Sequence, residues 1–200
     1  MLPTEFVKLK QVSEPIDAHK FNESLLAAAI FHETNRVRIQ NKLPALLPDP
    51  DLNKAAQRHT DAMAEAGILS HDSPGKNIPV TPVERLKKVG LDPMFAAENI
   101  GFDFVVRYES GRKFYRRETK EGLRYSYEPQ GPLLPNQTYL EFAKLIVEKW
   151  MASPHHRENL LSTPPRFLGT GAAVQPVEGN MDRLYATQEF YAPRVKQPWE

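Results

Sequence analysis

Apolar positions recur at intervals of three and four along three stretches of the chain, the spacing that lines side chains up on one face of an α-helix. The first stretch carries Leu25, Leu26, Ala29, Ile30, Val37 and the stem of Arg38. Asn22 is placed to cap it, Glu23 supports its positive end, and Asn41-Lys42-Leu43-Pro44 is its exit. The second opens at Asp49-Pro50-Asp51, repeats Leu52, Ala55, Ala56, His59, Met63 and Ala66, and stops at Gly67. The third runs from Tyr139 to Ala152, with Leu140, Ala143, Ile146, Val147 and Trp150 on its apolar face. Thr81-Pro82-Val83-Glu84-Arg85 predicts a shorter helix that Thr81 caps and Gly90 ends.

Elsewhere the period falls to two. Phe102-Asp103-Phe104 and Leu123-Arg124-Tyr125-Ser126-Tyr127 alternate within an aromatic segment, 102–138, where Glu109-Ser110-Gly111-Arg112 supplies a turn. That texture predicts one or two β-hairpins. Gly169–Val174 and Leu184–Phe190, with Gly179-Asn180 between them, predict an antiparallel pair. Residues 1–20 hold Pro3 and Pro15 and no helical period, so they read as an extended arm. Helices come first and strands last, which is the order of an α+β fold. The expected organisation is an arm over 1–21, one domain over 22–193 and a tail over 194–200.

Composition narrows the function classes. A net charge of +1 gives no electrostatic case for nucleic acid, even beside the aromatic and basic run Phe114-Tyr115-Arg116-Arg117. No apolar run approaches the roughly 18–20 residues that span a bilayer, so no transmembrane segment is expected. Cysteine is absent, which removes disulfides and thiolate chemistry. Met1 to Lys20 has no uninterrupted apolar core and is not a signal peptide; an exported form would have had its targeting segment removed.

Candidate chemistry sits in three short runs: Gly67-Ile68-Leu69-Ser70-His71, Ala97-Glu98-Asn99-Ile100, and Trp150-Met151-Ala152-Ser153-Pro154-His155-His156-Arg157. Two imidazoles and a carboxylate can hold a metal with an open position, or pair as His⁺ and Glu⁻ without one. Each run also has a plainer reading. His71 and His156 follow helices, where imidazole meets terminal carbonyls. Glu98-Asn99 reads as a turn, with Asn99 bracing backbone. Ser153 reads as a cap, because Ser-Pro follows a helix and the chain has no Gly-x-Ser-x-Gly elbow. His59, in mid-helix, reads as a packed or surface histidine, and His19 and His32 have no assigned role. Spacing from Trp150 favours His156 over His155 as the inward one.

In order, these runs resemble the CAP superfamily of cysteine-rich secretory, antigen 5 and pathogenesis-related proteins, and most nearly its cysteine-free bacterial branch. The resemblance rests on Asn35-x-x-Arg38 with Leu43-Pro44-x-Leu46, Asp51-Leu52 with Ala55-Ala56-Gln57, and Ser70-His71. It continues through Glu98-Asn99-Ile100, Trp150-Met151-x-Ser153-Pro154, His156-Arg157-x-Asn159-Leu160-Leu161, Gly169-x-Gly171 and Tyr185-x-x-Gln188-x-Phe190. It covers about residues 24–192 and implies a three-layer α–β–α sandwich with a small antiparallel sheet between helices. Residues 102–138 exceed the family's compact connection and read as a hairpin insertion beside the cleft, either a solvated cover or a wall that selects a ligand.

The family cleft commonly holds two histidines and two glutamates. His71, Glu98 and His156 fall on three of them, and Ser153 stands where the fourth carboxylate would be. The implied cleft is His71, Glu98, His156, Ser153 and Asn99. The same resemblance makes His71, His156 and Glu98 the ligands for a divalent cation such as zinc, one carboxylate short of a tight site. It implies an extracellular or periplasmic domain that binds a small ligand, lipid or protein. The alternative is a hydrolase in which metal on His71 and His156 activates water, with Glu98 as third ligand or catalytic base.

Overall fold

A computed structural model describes residues 2–120 and 122–194. The helices are α1 (Pro3–Phe6), α2 (Glu23–Gln40), α3 (Pro50–Ala66), α4 (Pro82–Lys88), α5 (Tyr139–Ala152) and α6 (Pro154–Leu161). The strands are β1 (Leu47–Pro48), β2 (Pro93–Phe104), β3 (Tyr115–Thr119), β4 (Gly122–Ser126), β5 (Phe167–Gln175) and β6 (Arg183–Pro193). The main sheet has the order β1-β5-β6-β2. Its three long strands are antiparallel, and the two-residue β1 adds a parallel edge. Helices α2, α5 and α6 cover one face and α3 and α4 the other, the expected α–β–α sandwich.

The period-two alternation of β6 sorts the two layers. Leu184, Ala186 and Phe190 join Leu26, Ile30, Phe142 and Ile146 beneath α2 and α5. Tyr185 faces the other way, with Met63 of α3 and Ile100 of β2. Close approach of α3 to β5 depends on Gly169 and Gly171. A Cβ at either would stand within 2.5–2.6 Å of the Leu52 or Ala56 backbone. Alanine there must push the helix off the sheet, at a cost of about 1–3 kcal/mol.

The expected helices stand nearly where the sequence puts them. Asn22 Oδ1 accepts from Leu25 N at 2.9 Å, and Asp49 Oδ1 accepts from Asp51 N and Leu52 N. Thr81 and Glu84 form a capping box, and Gly67, at φ +68°, ends α3. Arg38 is wholly buried, head as well as stem, and donates to the carbonyls of Pro44, Leu160 and Ser162.

Other expectations need correction. The N-terminal arm is not extended: α1 and two 3₁₀ turns, Lys10–Ser13 and Ala18–Lys20, fold it onto the domain. Phe6, Val12 and Ile16 enter the principal core, and their wide spacing along the chain explains why no helical period announces them. Glu98-Asn99 is not a turn but lies within β2, and Phe102-Asp103-Phe104 ends that strand. The insert does contain paired strands, yet its hairpin reverses between Thr119 and Gly122. The Glu109–Arg112 turn precedes β3. A further helix, α6, follows Ser153 directly. The tail expected over 194–200 lies, from residue 195, outside the described residues.

The hairpin also sits elsewhere than beside the cleft. Tyr125 packs with Val106, Leu134 and Met181, and Arg116 donates to the Gly179 carbonyl at 3.0 Å. These contacts tie the hairpin to the turn joining β5 and β6, past the Phe104 end of β2.

Candidate functional site

Strand β2 is an edge strand, and helices from both layers meet over its outer side. Trp150 Nε1 donates to the Ile100 carbonyl at 2.9 Å, and Asn159 Nδ2 donates to the Glu98 carbonyl at 3.2 Å. The open edge is thereby closed to strand addition along this stretch. Glu98 and Asn99 point to opposite faces of the sheet, so the two neighbours take part in different networks.

On the α3–α4 side, Glu98 is nearly buried and both its oxygens are engaged. His71, on the loop after α3, places Nδ1 2.7 Å from Oε1. Arg85 of α4 donates through Nη2 to Oε2 and through Nη1 to the carbonyls of His71 and Val80. Arg85 therefore fixes both the carboxylate and the loop that carries its histidine partner. Burial pushes the Glu98 pKa up, but the His71 bond and the Arg85 charge outweigh it and hold the group below its ordinary value. The Glu98 bond in turn raises the His71 pKa. The His71 ring stays half-exposed, with its other nitrogen, Nε2, free of this bond.

Sequence reasoning missed three members of this cluster. Glu189 of β6 pairs in register with Glu98 and is fully buried, with an oxygen 3.8 Å from Arg85. Burial, reinforced by the Glu98 charge, raises its pKa well above the carboxylate range, so it keeps its proton and can share it with Glu98. His59 of α3, also fully buried, brings Nε2 to 3.7 Å from Glu98 Oε2. Burial lowers its pKa to about 4, against the opposing pull of the Glu98 charge and a hydrogen bond to the Ser70 backbone. The third is Arg85 itself. Signals were present: His59 repeats at the spacing of the buried face of α3, and Glu189 alternates with Tyr185 and Thr187 on an inward strand face.

On the α5–α6 side the groups are neutral. Asn99 Nδ2 donates to the His156 carbonyl and to Gln188 Oε1, and its Oδ1 accepts from Asn159 at 2.9 Å. Asn99 is a brace that positions α6. The His156 ring is half-buried. Burial lowers its pKa, and the neighbouring His71 charge adds to the effect. Ser153 ends α5 and begins α6 without a side-chain cap bond. His71 and Glu98 are thus in direct contact, His156 approaches from the opposite layer, and Asn99 holds its backbone. His155 is exposed.

The residues do not fit a resident divalent cation. Among the described residues, no group of three or more His, Asp or Glu side chains is arranged to hold a metal ion. Arg85 already neutralises Glu98, and Ser153 brings no carboxylate. No step is therefore routed through a metal.

Comparison with known proteins places the chain. The family model described as the CAP, or cysteine-rich secretory protein, family matches residues 31–190. No curated protein matches the sequence. An extracellular protein with an SCP domain from Bacillus anthracis is similar at 24% identity and a TM-score of 0.55. The match covers 90% of this chain but 45% of that protein, so the chain spans about half its length. An outer surface protein of Borrelia burgdorferi matches at 16% identity and a TM-score of 0.53, covering 91% of this chain and 99% of that one. These likenesses speak to the fold. Among the described residues no helix is long and apolar enough to cross a membrane.

Proposed function

The chain belongs to the cysteine-rich secretory protein family, and from that premise we propose that it is an exported, extracellular or periplasmic binding domain without catalysis of its own. Its ligand, a small molecule, lipid or protein partner, contacts the cleft at His71 and His156, with Glu98 setting the His71 ring from below. The extracellular and outer-surface descriptions of the similar structures support the location.

One observation carries the binding reading over the hydrolase. Glu98 has committed one oxygen to His71, the other to Arg85 and its carbonyl to Asn159. A base must have a basic lone pair within reach of a water, whereas Glu98 is nearly buried and its bonds to His71 and Arg85 hold its pKa below the ordinary value, which makes it a weak base. What the cleft offers outward is the His71 ring, whose Nε2 accepts when the ring is neutral and donates when it is protonated, beside the His156 ring, whose lowered pKa favours the neutral form. That pair suits recognition of a carboxyl, amide or hydroxyl group.

The test has two arms. Fluorescein-labelled casein and p-nitrophenyl acetate are incubated with the wild type and with Glu98→Gln; neither protein is expected to turn them over. Proton–nitrogen correlation spectra of the imidazoles are then followed while acetate, acetamide and phosphatidylcholine vesicles are added. At least one probe is expected to move the His71 and His156 signals, and to lose its effect on His156 in His71→Ala. Casein hydrolysis that disappears in Glu98→Gln would overturn the reading in favour of the hydrolase.

A further inference from the structure

We propose that the aromatic insert builds a second binding site, remote from the cleft, which takes an aliphatic di- or polyamine. A cavity of about 710 Å³ lies between the arm at 15–19, β4 at 122–125 and the β5–β6 turn at 176–182. That volume is within the range of small-molecule pockets. The run of β2 from Glu98 to Phe104 sets it about 20 Å from the cleft. Its walls are held by bonds within the protein. Asn136 Nδ2 donates to the Ile16 carbonyl at 2.8 Å, and Ile16 N donates to the Gln137 carbonyl at 2.8 Å. Val177 N donates to Asp182 Oδ1 at 2.9 Å, and Arg116 ties the turn to the hairpin through the Gly179 carbonyl.

Charge and hydrogen bonding give the chemistry of the ligand. Asp17 stands on the arm wall, and Glu178 and Asp182 stand on the turn wall. Among the described residues none of these three carboxylates has an ion-pair partner. Arg124 is the one permanent cation on the lining, and His19 joins it only when protonated. A second observation is independent of that charge. Tyr125, 3% exposed and part of the same lining, has a buried hydroxyl without a hydrogen-bond partner. Burial raises its pKa and the Asp182 charge adds to the effect, so the hydroxyl keeps its proton and lies towards the turn. A buried hydroxyl in that state costs free energy, which a donor on a ligand would recover.

Acceptors on separate walls call for donors on the ligand, and an ammonium group has donors only. Among the described residues no three of these groups converge as a metal ion requires, so the spread of charge suits an extended cation. An amine with nitrogens several methylenes apart reaches Asp17 and the Glu178–Asp182 pair together. Val105, Val106 and Leu123 give the lining its apolar part, which suits the methylenes. The inference goes beyond the binding reading and does not depend on it, because the cavity shares no residue with the cleft.

Spermidine titrated into the full chain by calorimetry at pH 7.5 tests the proposal, with butylamine and magnesium chloride as controls at matched ionic strength. Spermidine should bind at one site with Kd on the order of 100 μM, and butylamine at least about tenfold more weakly. Magnesium should not bind there. Glu178→Gln and Asp182→Asn should each weaken spermidine by about tenfold, the size of one lost charge-assisted hydrogen bond. Asp182→Asn keeps the oxygen that Val177 N needs. Tyr125→Phe should weaken binding by about three- to tenfold and leave thermal melting unchanged, because its hydroxyl holds no bond in the protein. Glu158→Gln, an exposed change on α6, should leave the affinity at the wild-type value. Where Asp182→Asn does not fold, Glu178→Gln and Tyr125→Phe carry the test. No spermidine binding up to about 5 mM would overturn the proposal. So would binding that butylamine or magnesium matches, since charge screening then explains it. An affinity unchanged in both Glu178→Gln and Tyr125→Phe would overturn it as well.

Discussion

Strands β2 and β6 align Glu98 with Glu189 and, one position on, Asn99 with Gln188. The two pairs lie on opposite faces of the same ladder, equally shielded from water, and are satisfied in opposite ways. An amide carries donor and acceptor together, so Asn99 and Gln188 bond each other and pass bonds on to Asn159, the His156 carbonyl and Thr34. Two carboxylates have only acceptors. They require a counter-ion, Arg85, and a hydrogen bond shared between Glu98 and Glu189. The amide face is what a strand–helix joint needs. The charged face is poorer as structure, which is why chemistry is sought there.

The comparison breaks first at Arg85. Arg85→Met should destabilise the domain by about 3–5 kcal/mol at pH 7.5, because a buried carboxylate loses its guanidinium partner. Urea denaturation measures this. The loss should shrink at pH 5, where Glu98 can take a proton instead. A deficit under about 1 kcal/mol would mean that water reaches the cluster and that the two faces differ less than their hydrogen bonds imply.

His59 gives the next effect. Its folded pKa of about 4 lies below the ordinary 6.5, so the folded state stays neutral while the unfolded chain gains a proton as pH falls. Stability from this residue is therefore present above pH 6.5 and lost between 6.5 and about 4, by about 3 kcal/mol in all. His59→Leu should gain that amount over wild type across the same window. Parallel urea titrations at pH 7.5, 6 and 4.5 that show no such divergence would place the wild-type ring in contact with water.

How much of this was legible depended on whether a signal was local. Caps and periods are local: Asn22, Asp49, Thr81, Gly67 and the apolar faces of α2, α3 and α5 each follow from a few neighbouring residues. The arm was not legible, because Phe6, Val12 and Ile16 acquire meaning only against α2 and α5. Strand β2 was hidden by Glu98 and Asn99, adjacent polar residues that break the alternation because other elements supply their partners. At the site, the family resemblance supplied His71, Glu98 and His156. It did not supply Arg85 or Glu189, whose meaning appears only when the fold brings them against Glu98.

The neutral face should respond differently to truncation. Asn99→Ala removes three hydrogen bonds and strands the His156 carbonyl, Gln188 and Asn159. A loss of about 1–3 kcal/mol is expected, since α6 can move to let water reach some of these groups. With no titratable side chain in the network, the loss should be the same at pH 5 and pH 8. A clear pH dependence would show that the two faces communicate through the strand.

The smallest effect, at pH 5, belongs to Glu189→Gln. The replacement is nearly isosteric with a protonated glutamate and can still donate to Glu98, so the variant should lie within about 1 kcal/mol of wild type there. Its sign then changes with pH in a definite direction. Glu189 has a raised folded pKa, so the stability linked to its proton is present below the ordinary 4.5 and is lost as pH rises towards the folded value. Glutamine has no proton to lose. The variant should therefore become progressively more stable than wild type from pH 5 to pH 8, with Glu98 and Arg85 unchanged. Thermal melts at half-unit pH steps measure the trend. A variant that falls behind wild type as the pH rises would mean that Glu189 is ionised in the fold and that Arg85 serves two carboxylates at once.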